Sequence, residues 1–199
     1  MFANAVKPNE NNYDQLQHGI AFKRISYEQG LSQDDVLCIM QDSRGYMWLG
    51  TSDGLNRYDS ENFTVFRNIA DDSASLSNNV VKSMAEDTDG NLWFGTEDGL
   101  NLFIRDSESF KVFKNIPSNK SSLSSNNINF IFNDQCGNLW IGTDNGLNLF
   151  DNGNNHFKKY GLDQQENKVG CFNGIAEDKN GIFWCATNEE IATFNPKNR

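Results

Sequence analysis

The chain has 199 residues, a formal charge of −10 and a sequence pI near 4.6, with 12% aromatic residues, 16 glycines and 3 prolines. This acidic balance leaves no basic stripe along which a phosphate backbone could lie, so nucleic acid is not an expected partner. No apolar run of about 18 residues marks a membrane-spanning helix, and a mean hydropathy of −0.64 beside so many aromatics describes short strands and tight turns on an aromatic core.

Met1 to Ala5 ends in an A-x-A triplet of the kind that precedes a signal-peptidase cut, but the basic and apolar regions of a signal peptide are missing. A stub of an export signal and a disordered start both fit. Residues 1–19, rich in Asn, Glu, Asp and Gln without periodicity, are expected to form a flexible lead. Ala21 to Ser26 reads as a strand like Phe63 to Phe66, Phe110 to Phe113 and Phe157 to Tyr160, each of which closes a repeat. Residues 21–26 are therefore expected to be an outer strand of another sheet.

Residues 20–199 then read as one array, with repeats at about 31–75, 76–122, 123–166 and 167–199. Trp48, Trp93, Trp140 and Trp184, the only tryptophans, fix the frame. An acid stands six positions before each (Asp42, Asp87, Asp134, Asp178), a glycine three before, a Gly-Thr or Ala-Thr pair just after, and an aromatic ten after. A period of 44 to 47 residues with so many fixed offsets means a propeller or a solenoid.

Within each of the first three repeats, a Leu-Ser pair precedes a β-branched residue (Val36, Val81, Ile128) that opens a short apolar strand. Asp42-Ser43-Arg44-Gly45 and its equivalents form a hairpin turn: the acid accepts from the backbone two residues on, and the glycine supplies the left-handed conformation. The Trp strand follows. Asp53-Gly54, Asp98-Gly99 and Asn145-Gly146 then predict type I′ turns with positive φ at both positions. A third strand, a looser polar turn and a fourth strand complete a meander.

The connections Arg67 to Ser75 and Lys114 to Ser122 are long enough to cross three strand spacings of roughly 4.8 Å, from a sheet's outer edge to the next sheet's inner strand. The expected fold is therefore all-β: a β-propeller of four-stranded antiparallel blades, three complete and a fourth lacking its outer strand. In the fourth repeat Asn167 replaces the leading Leu, Ala186 the glycine after Trp, and Glu189-Glu190 the Asp-Gly pair, so that hairpin should avoid positive φ.

The string D-x-x-G-x-x-W-x-G-T-x-x-G-L-x-x-[YF], complete three times and degraded once, resembles the two-component regulator propeller repeat over residues 20 to 196. The lead-in Phe22 to Ser32 is similar to the start of that family's input domain. The resemblance implies seven-bladed propellers in the periplasm, ahead of a membrane span and a histidine kinase or, in other members, a diguanylate cyclase. It also implies that this chain is the N-terminal piece of a longer protein. An open arc should be closed either by residues 22–26 joining the fourth blade or by two chains sharing a ring, and self-association is the favoured expectation.

Chemical motifs are weak beside this frame. Tryptophans at an identical place in every repeat are expected to pack blade on blade rather than line a sugar cleft. Asp87-x-Asp89-Gly90 lacks the further ligands of a calcium loop and reads as a turn. Cys38, Cys136, Cys171 and Cys185 have no zinc spacing, and the offset of Cys171 and Cys185 around their turn disfavours a disulfide. His18 and His156 have no repeated Ser or Asp partner for a triad. No cofactor, metal or catalytic residue is assigned.

A ligand, a small molecule or glycan or else a partner protein, is expected at the rim carrying the Asp-Gly hairpins and the long connections. Its candidates are Ser52, Asp53, Glu97, Asp98, Asp144 and Asn145, with the loops 71–79, 117–127 and 163–168. The functional expectation is a non-catalytic periplasmic sensor domain of a two-component kinase, with a diguanylate cyclase parent as the alternative. A polysaccharide-cleaving propeller or a plain interaction scaffold are the readings from other classes.

Overall fold

In each repeat a β-branched or apolar run alternates sides of a pleated ribbon, and the Asp-x-x-Gly turn folds it back on the Trp strand. The computed structural model describes residues 22–161 and 170–196. Four antiparallel sheets follow one another. They are β1 to β4 (Val36–Gln41, Met47–Thr51, Gly54–Tyr58, Phe63–Phe66) and β5 to β8 (Val81–Glu86, Leu92–Thr96, Gly99–Ile104, Ser109–Phe113). Then come β9 to β12 (Ile128–Asn133, Leu139–Thr143, Gly146–Asp151, His156–Tyr160) and β13 to β15 (Phe172–Glu177, Phe183–Thr187, Ile191–Phe194). Strands pair in sequence order in every sheet. The first strand of each sheet lies beside the first strand of the next, so β1, β5, β9 and β13 form the inner wall of an open propeller arc.

The core lies between sheets. Trp48 on β2 packs its ring 5.1 Å from Phe94 and 5.2 Å from Phe103 of the second sheet. Trp93 meets Phe150 of the third at 4.8 Å, and Trp140 meets Phe183 of the fourth at 5.1 Å. These three indoles are 0–1% exposed. Trp184 is 50% exposed, so the expectation of blade-on-blade packing fails at the fourth: no following sheet exists among the described residues to cover it.

The glycine after each Trp-strand hydrophobe has the same origin. A Cβ on Gly95 would lie 2.5 Å from Ile128 Cγ2 on the next sheet's inner strand, so nothing larger fits. Ala186, with no next sheet against it among the described residues, is free of that constraint. Gly95→Val is accordingly expected to force the second and third sheets apart, seen in urea denaturation as a loss of roughly 1–3 kcal/mol of unfolding free energy, whereas Ala186→Gly costs less than about 1 kcal/mol.

Three local expectations are corrected. Residues 22–26 hold no ladder in any sheet. Ser26 instead caps a 3-10 turn over Tyr27–Gln29: its N–H donates to Gln29 Oε1 at 2.8 Å, and its hydroxyl accepts from Glu28. The blade to which they would belong is not among the described residues, and they do not add a strand to β15, so the fourth sheet keeps three strands.

The rim hairpins are not type I′. Thr51 pairs with Gly54, which leaves Ser52-Asp53 as the loop, and only Gly54 has positive φ (120°). Thr51 Oγ1 accepts from Asp53 N–H at 3.0 Å and donates to Gly54 O, while Gly54 N–H donates to Asn79 O of the next connection. The turn is thus set by the threonine. Glu190 also avoids positive φ, as expected, with its carbonyl held by Thr187.

Candidate functional site

A recurring polar knot builds the rim. The serine after each opening Leu donates its N–H to an asparagine on the third strand (Ser32 to Asn56, Ser77 to Asn101, Ser124 to Asn148, 2.8–2.9 Å). The asparagine returns an N–H to the serine hydroxyl, which also contacts the threonine of the Gly-Thr pair. The three asparagines are fully buried. Each knot ties the incoming connection to the rim hairpin, so connections and hairpins do share one end.

At that end the structure separates the expected site residues. Asp53 is paired to Arg67 at 3.0 Å, and Asp98 to Lys114 at 2.6 Å and to Asn126. Ser52 donates to Gln33, and the backbone N–H of Glu97 donates to Val80 O. Asn145 uses its N–H within its own turn. Asp53, Asp98 and Asn145 thus serve the loops. Loop 163–168 lies outside the described residues, as do His18, Asn167 and the 1–19 lead.

Asp144 alone reaches inward. Its carboxylate accepts from Asn127 at 2.7 Å and Asn129 at 3.0 Å, and from the Cys171 thiol at 3.4 Å. Lys82 Nζ donates to Asn127 and Asn129 Oδ1 at 2.6 and 3.1 Å. Cys171 also donates to Asn173, whose amide donates to Asn188. Lys82, Asn129 and Asn173 occupy the same place on β5, β9 and β13, so the track runs across three blades along the inner wall at the rim.

Burial alone would raise Asp144, but the Asn129 and Asn127 amides, the Cys171 thiol and Lys82 outweigh it and hold the carboxyl below its ordinary value. Burial and the neighbouring Asp144 push the Cys171 thiol up, so it stays protonated and donates. The site therefore presents a carboxylate, an ammonium and several carboxamides, which suits hydrogen bonding to a polar molecule rather than nucleophilic chemistry.

The other candidates serve the fold. Cys185 is buried against the fourth blade's core with its thiol pushed up to about 11 by burial, and Cys38 to about 12. All four thiols are free, and Cys185 faces Ile175 rather than Cys171. His156 pairs with Asp151 in a strand ladder. Asp87 accepts from the N–H groups of Asp89 and Asn91 and from the Trp93 indole, as a turn carboxylate, and no cluster of metal ligands occurs among the described residues.

A family model described as two component regulator propeller matches residues 30–53, 75–98 and 122–145, each stretch running from the opening Leu-Ser through the Trp strand to the rim hairpin. The chain carries two component regulator propeller repeats. Histidine kinase P4 of Formosa agariphila is 46% identical over 56 residues, 28% of this chain and 4% of the kinase. The extracellular domain of a hybrid two component system from Bacteroides thetaiotaomicron superposes with a TM-score of 0.68 at 24% identity, over 88% of this chain and 30% of that one. Virginiamycin B lyase from Staphylococcus aureus shares the fold at 15% identity, TM-score 0.58, over 90% of this chain and 60% of the lyase. This chain thus spans less than a third of the two component relatives it matches. No helix among the described residues is long and apolar enough to cross a membrane.

The regulator propeller motif contains one role that turn chemistry alone does not reveal. Each acid six before Trp accepts the indole N–H (Asp42 to Trp48 at 3.0 Å, Asp134 to Trp140 at 2.9 Å) as well as the turn amides. Burial of Asp42 and Asp134 acts to raise them, but the indole and the other donors prevail, and both lie below the ordinary value. The unfolded chain then takes up protons first. Their stabilisation is complete above about pH 4 and is lost as pH falls through the lower folded values. Urea midpoints should fall between pH 7 and pH 3, and Asp134→Asn should shrink that fall.

The inner-wall track escaped the sequence reading because Lys82 and Asn129 sit inside strand patterns. Their signal is a position where a strict repeat varies: Leu37, Lys82, Asn129 and Asn173 stand at one place in the frame.

Proposed function

We propose that this chain is a non-catalytic, extracytoplasmic sensor domain of a two-component histidine kinase, placed in the periplasm and taking a small polar ligand, a saccharide included, at the rim end of its inner wall. The observation that carries this is the Lys82, Asn127, Asn129, Asp144 and Cys171 track, the least repeated part of a repeated frame. The extracellular placement of the two component relatives and the kinase likeness support the setting.

The test is a thermal-shift and calorimetric screen of saccharides, polyols and amino acids. A hit should lose about tenfold in affinity in Lys82→Met and in Asp144→Asn, with circular dichroism checking that both variants keep the fold. A hit indifferent to both changes would move the site elsewhere.

Self-association belongs to the same proposal. Val36 is 39% exposed where its counterparts Val81 and Ile128 are 0%, and Trp184 and Ile191 are exposed at the other end of the arc. Covering both ends joins two arcs, and ligand binding would bias how they pair. Light scattering over a dilution series should give a dimer mass that persists at micromolar concentration; a monomer throughout refutes this part.

A further inference from the structure

Residues 26–35 sit on the first blade as the inter-blade connections sit on the second and third. The residues just before Leu76 and Leu123 lie over the fourth strand of the blade they enter: Phe110 N–H donates to Ala74 O at 2.8 Å, and Phe157 N–H to Ser121 O at 2.9 Å. Gly30, just before Leu31, lies over Phe63 in the same way, where a Cβ would stand 3.5 Å from Phe63 Cδ2. Leu31 is buried like Leu76 and Leu123, and Ser32 makes the same knot with Asn56.

Upstream of such a connection comes the fourth strand of the preceding blade, and residues 22–25 stand in that place. Their sequence, Phe-Lys-Arg-Ile, follows Phe-Thr-Val-Phe, Phe-Lys-Val-Phe and Phe-Lys-Lys-Tyr of β4, β8 and β12. They hold no ladder, and Phe22 and Ile25 are 63% and 41% exposed. Ten residues separate Ile25 from Val36, against eleven between Tyr160 and Phe172 across the third seam, so the tether is long enough to cross one.

The receiving side is in the fourth blade, where β15 has a partner on one edge only among the described residues. In the first seam the fourth-strand residue Phe110 lies 5.7, 6.3 and 5.3 Å from the rings of Phe66, Phe94 and Phe103. Phe157 fills the second seam likewise, 5.6 and 5.3 Å from Phe113 and Phe150. In the third, Tyr160, Cys185 and Phe194 hold the places of Phe66, Phe94 and Phe103, and no described strand supplies a counterpart of Phe110. An apolar cavity of about 80 Å³ lies there, walled by Leu147, Tyr160, Phe172, Cys185 and Phe194.

We propose that residues 22–25 of a second copy add the fourth strand to β15, with the partner's Phe22 in this cavity, and that the exchange is mutual. The register of the second blade, Phe103 opposite Phe110 and Leu100 opposite Phe113, sets Phe194 opposite the partner's Phe22 and the exposed Ile191 opposite the partner's Ile25. Main-chain bonds to a bare sheet edge hold such a strand, and the pocket for its first side chain fixes the register. Charge agrees: the strand brings Lys23 and Arg24 beside the hairpin of Glu189 and Glu190, which offsets repulsion between two chains of net charge −10. The same step lays the Ile39 face of one copy on the Trp184 face of the other, 61% and 50% exposed, and closes eight blades into a two-fold ring. Within one chain, residues 22–25 and β15 stand at opposite ends of the arc. The strand exchange rests on the self-association proposed above and adds the segment that crosses.

The experiment is disulfide trapping between two single variants of the whole chain in a Cys136→Ser background. Lys23 and Thr193 are exposed and directly opposed in the proposed ladder, where Cα atoms lie about 4.5–5.5 Å apart, within reach of a disulfide. A mixture of Lys23→Cys with Thr193→Cys should give a linked dimer that neither variant gives alone. Phe22→Asp should raise the dimer dissociation constant about tenfold or more in light scattering, since a carboxylate is costly in an apolar cavity. Its circular dichroism should match the wild type, because Phe22 lies in solvent within a single copy.

The proposal is overturned if the mixture stays unlinked or the dimer persists unchanged in Phe22→Asp, either of which leaves self-association standing on another surface. It is overturned as well if the double variant of Lys23→Cys and Thr193→Cys links within one monomeric chain, which closes a ring of four blades. A wild-type chain that is monomeric at every concentration removes the strand exchange and the self-association together.

Discussion

Trp93→Ala should lower the unfolding free energy by about 3–5 kcal/mol, the range for emptying a large aromatic from a closed core. The indole is 1% exposed and packs against Phe113 of its own sheet and Phe150 of the next, so its removal opens a void shared by two blades. It also strips Asp87 Oδ2 of the indole N–H that it accepts at 2.8 Å. In an array where each sheet is stabilised by its neighbours, such a loss is felt on both sides of the seam. Urea unfolding followed by circular dichroism measures it. Trp184→Ala provides the internal control: with half its surface in water already, it should cost about 1 kcal/mol or less. Equal losses for the two variants would falsify the assignment of the tryptophans to the seams.

Asn101→Ala should cost about 2–4 kcal/mol, nearly as much from a far smaller side chain. The asparagine accepts from Ser77 N–H at 2.9 Å and donates to Ser77 Oγ and to Phe94 O at 2.9 and 3.1 Å, fully shielded from water. Alanine leaves these groups inside without partners, and each such loss costs about 1–3 kcal/mol before relaxation. Asn101→Asp should be no better, because a carboxylate faces the Phe94 carbonyl with a second acceptor in place of a donor. Differential scanning calorimetry of both variants checks this, and recovery of stability in the aspartate variant would show that volume, not donor chemistry, sets the residue. The chain makes a related substitution itself: the position laid on Asn101 in the fourth repeat is Ala192, and there Lys168 replaces the serine.

The order of strands, the Asp-x-x-Gly turns and the place of the core were legible because each rests on local chemistry repeated in register. Gly45, Gly90, Gly137 and Gly181 all adopt positive φ where the turn demands it. The rim hairpins were misread because Asp-Gly normally closes its own turn, whereas here Thr51 and the next connection take over the hydrogen bonds. Residues 22–26 have a strand's composition, yet a strand exists only with a partner, and the Ser26 and Gln29 capping pair is satisfied locally.

Asp144 was found as one acid among several on a rim. What sets it apart, the approach of Asn127, Asn129 and Cys171 from other parts of the chain, depends on how blades abut and is not written in any single repeat. The asparagines of the rim knot repeat in the first three blades, where the tryptophans run through all four. They passed unnoticed because a buried asparagine in a strand reads as an ordinary outward polar residue until its partners are seen.

The uneven burial of the four indoles has an optical consequence. Trp48, Trp93 and Trp140 are sealed between sheets, while Trp184 looks into solvent. A soluble quencher should therefore extinguish one part of the emission and spare the rest, and the quenched part should be the red edge. Whatever comes to lie on the fourth sheet, a further blade or a second arc, would shield Trp184 and shift that edge to the blue, so the protein reports the covering of its own open end without any added label.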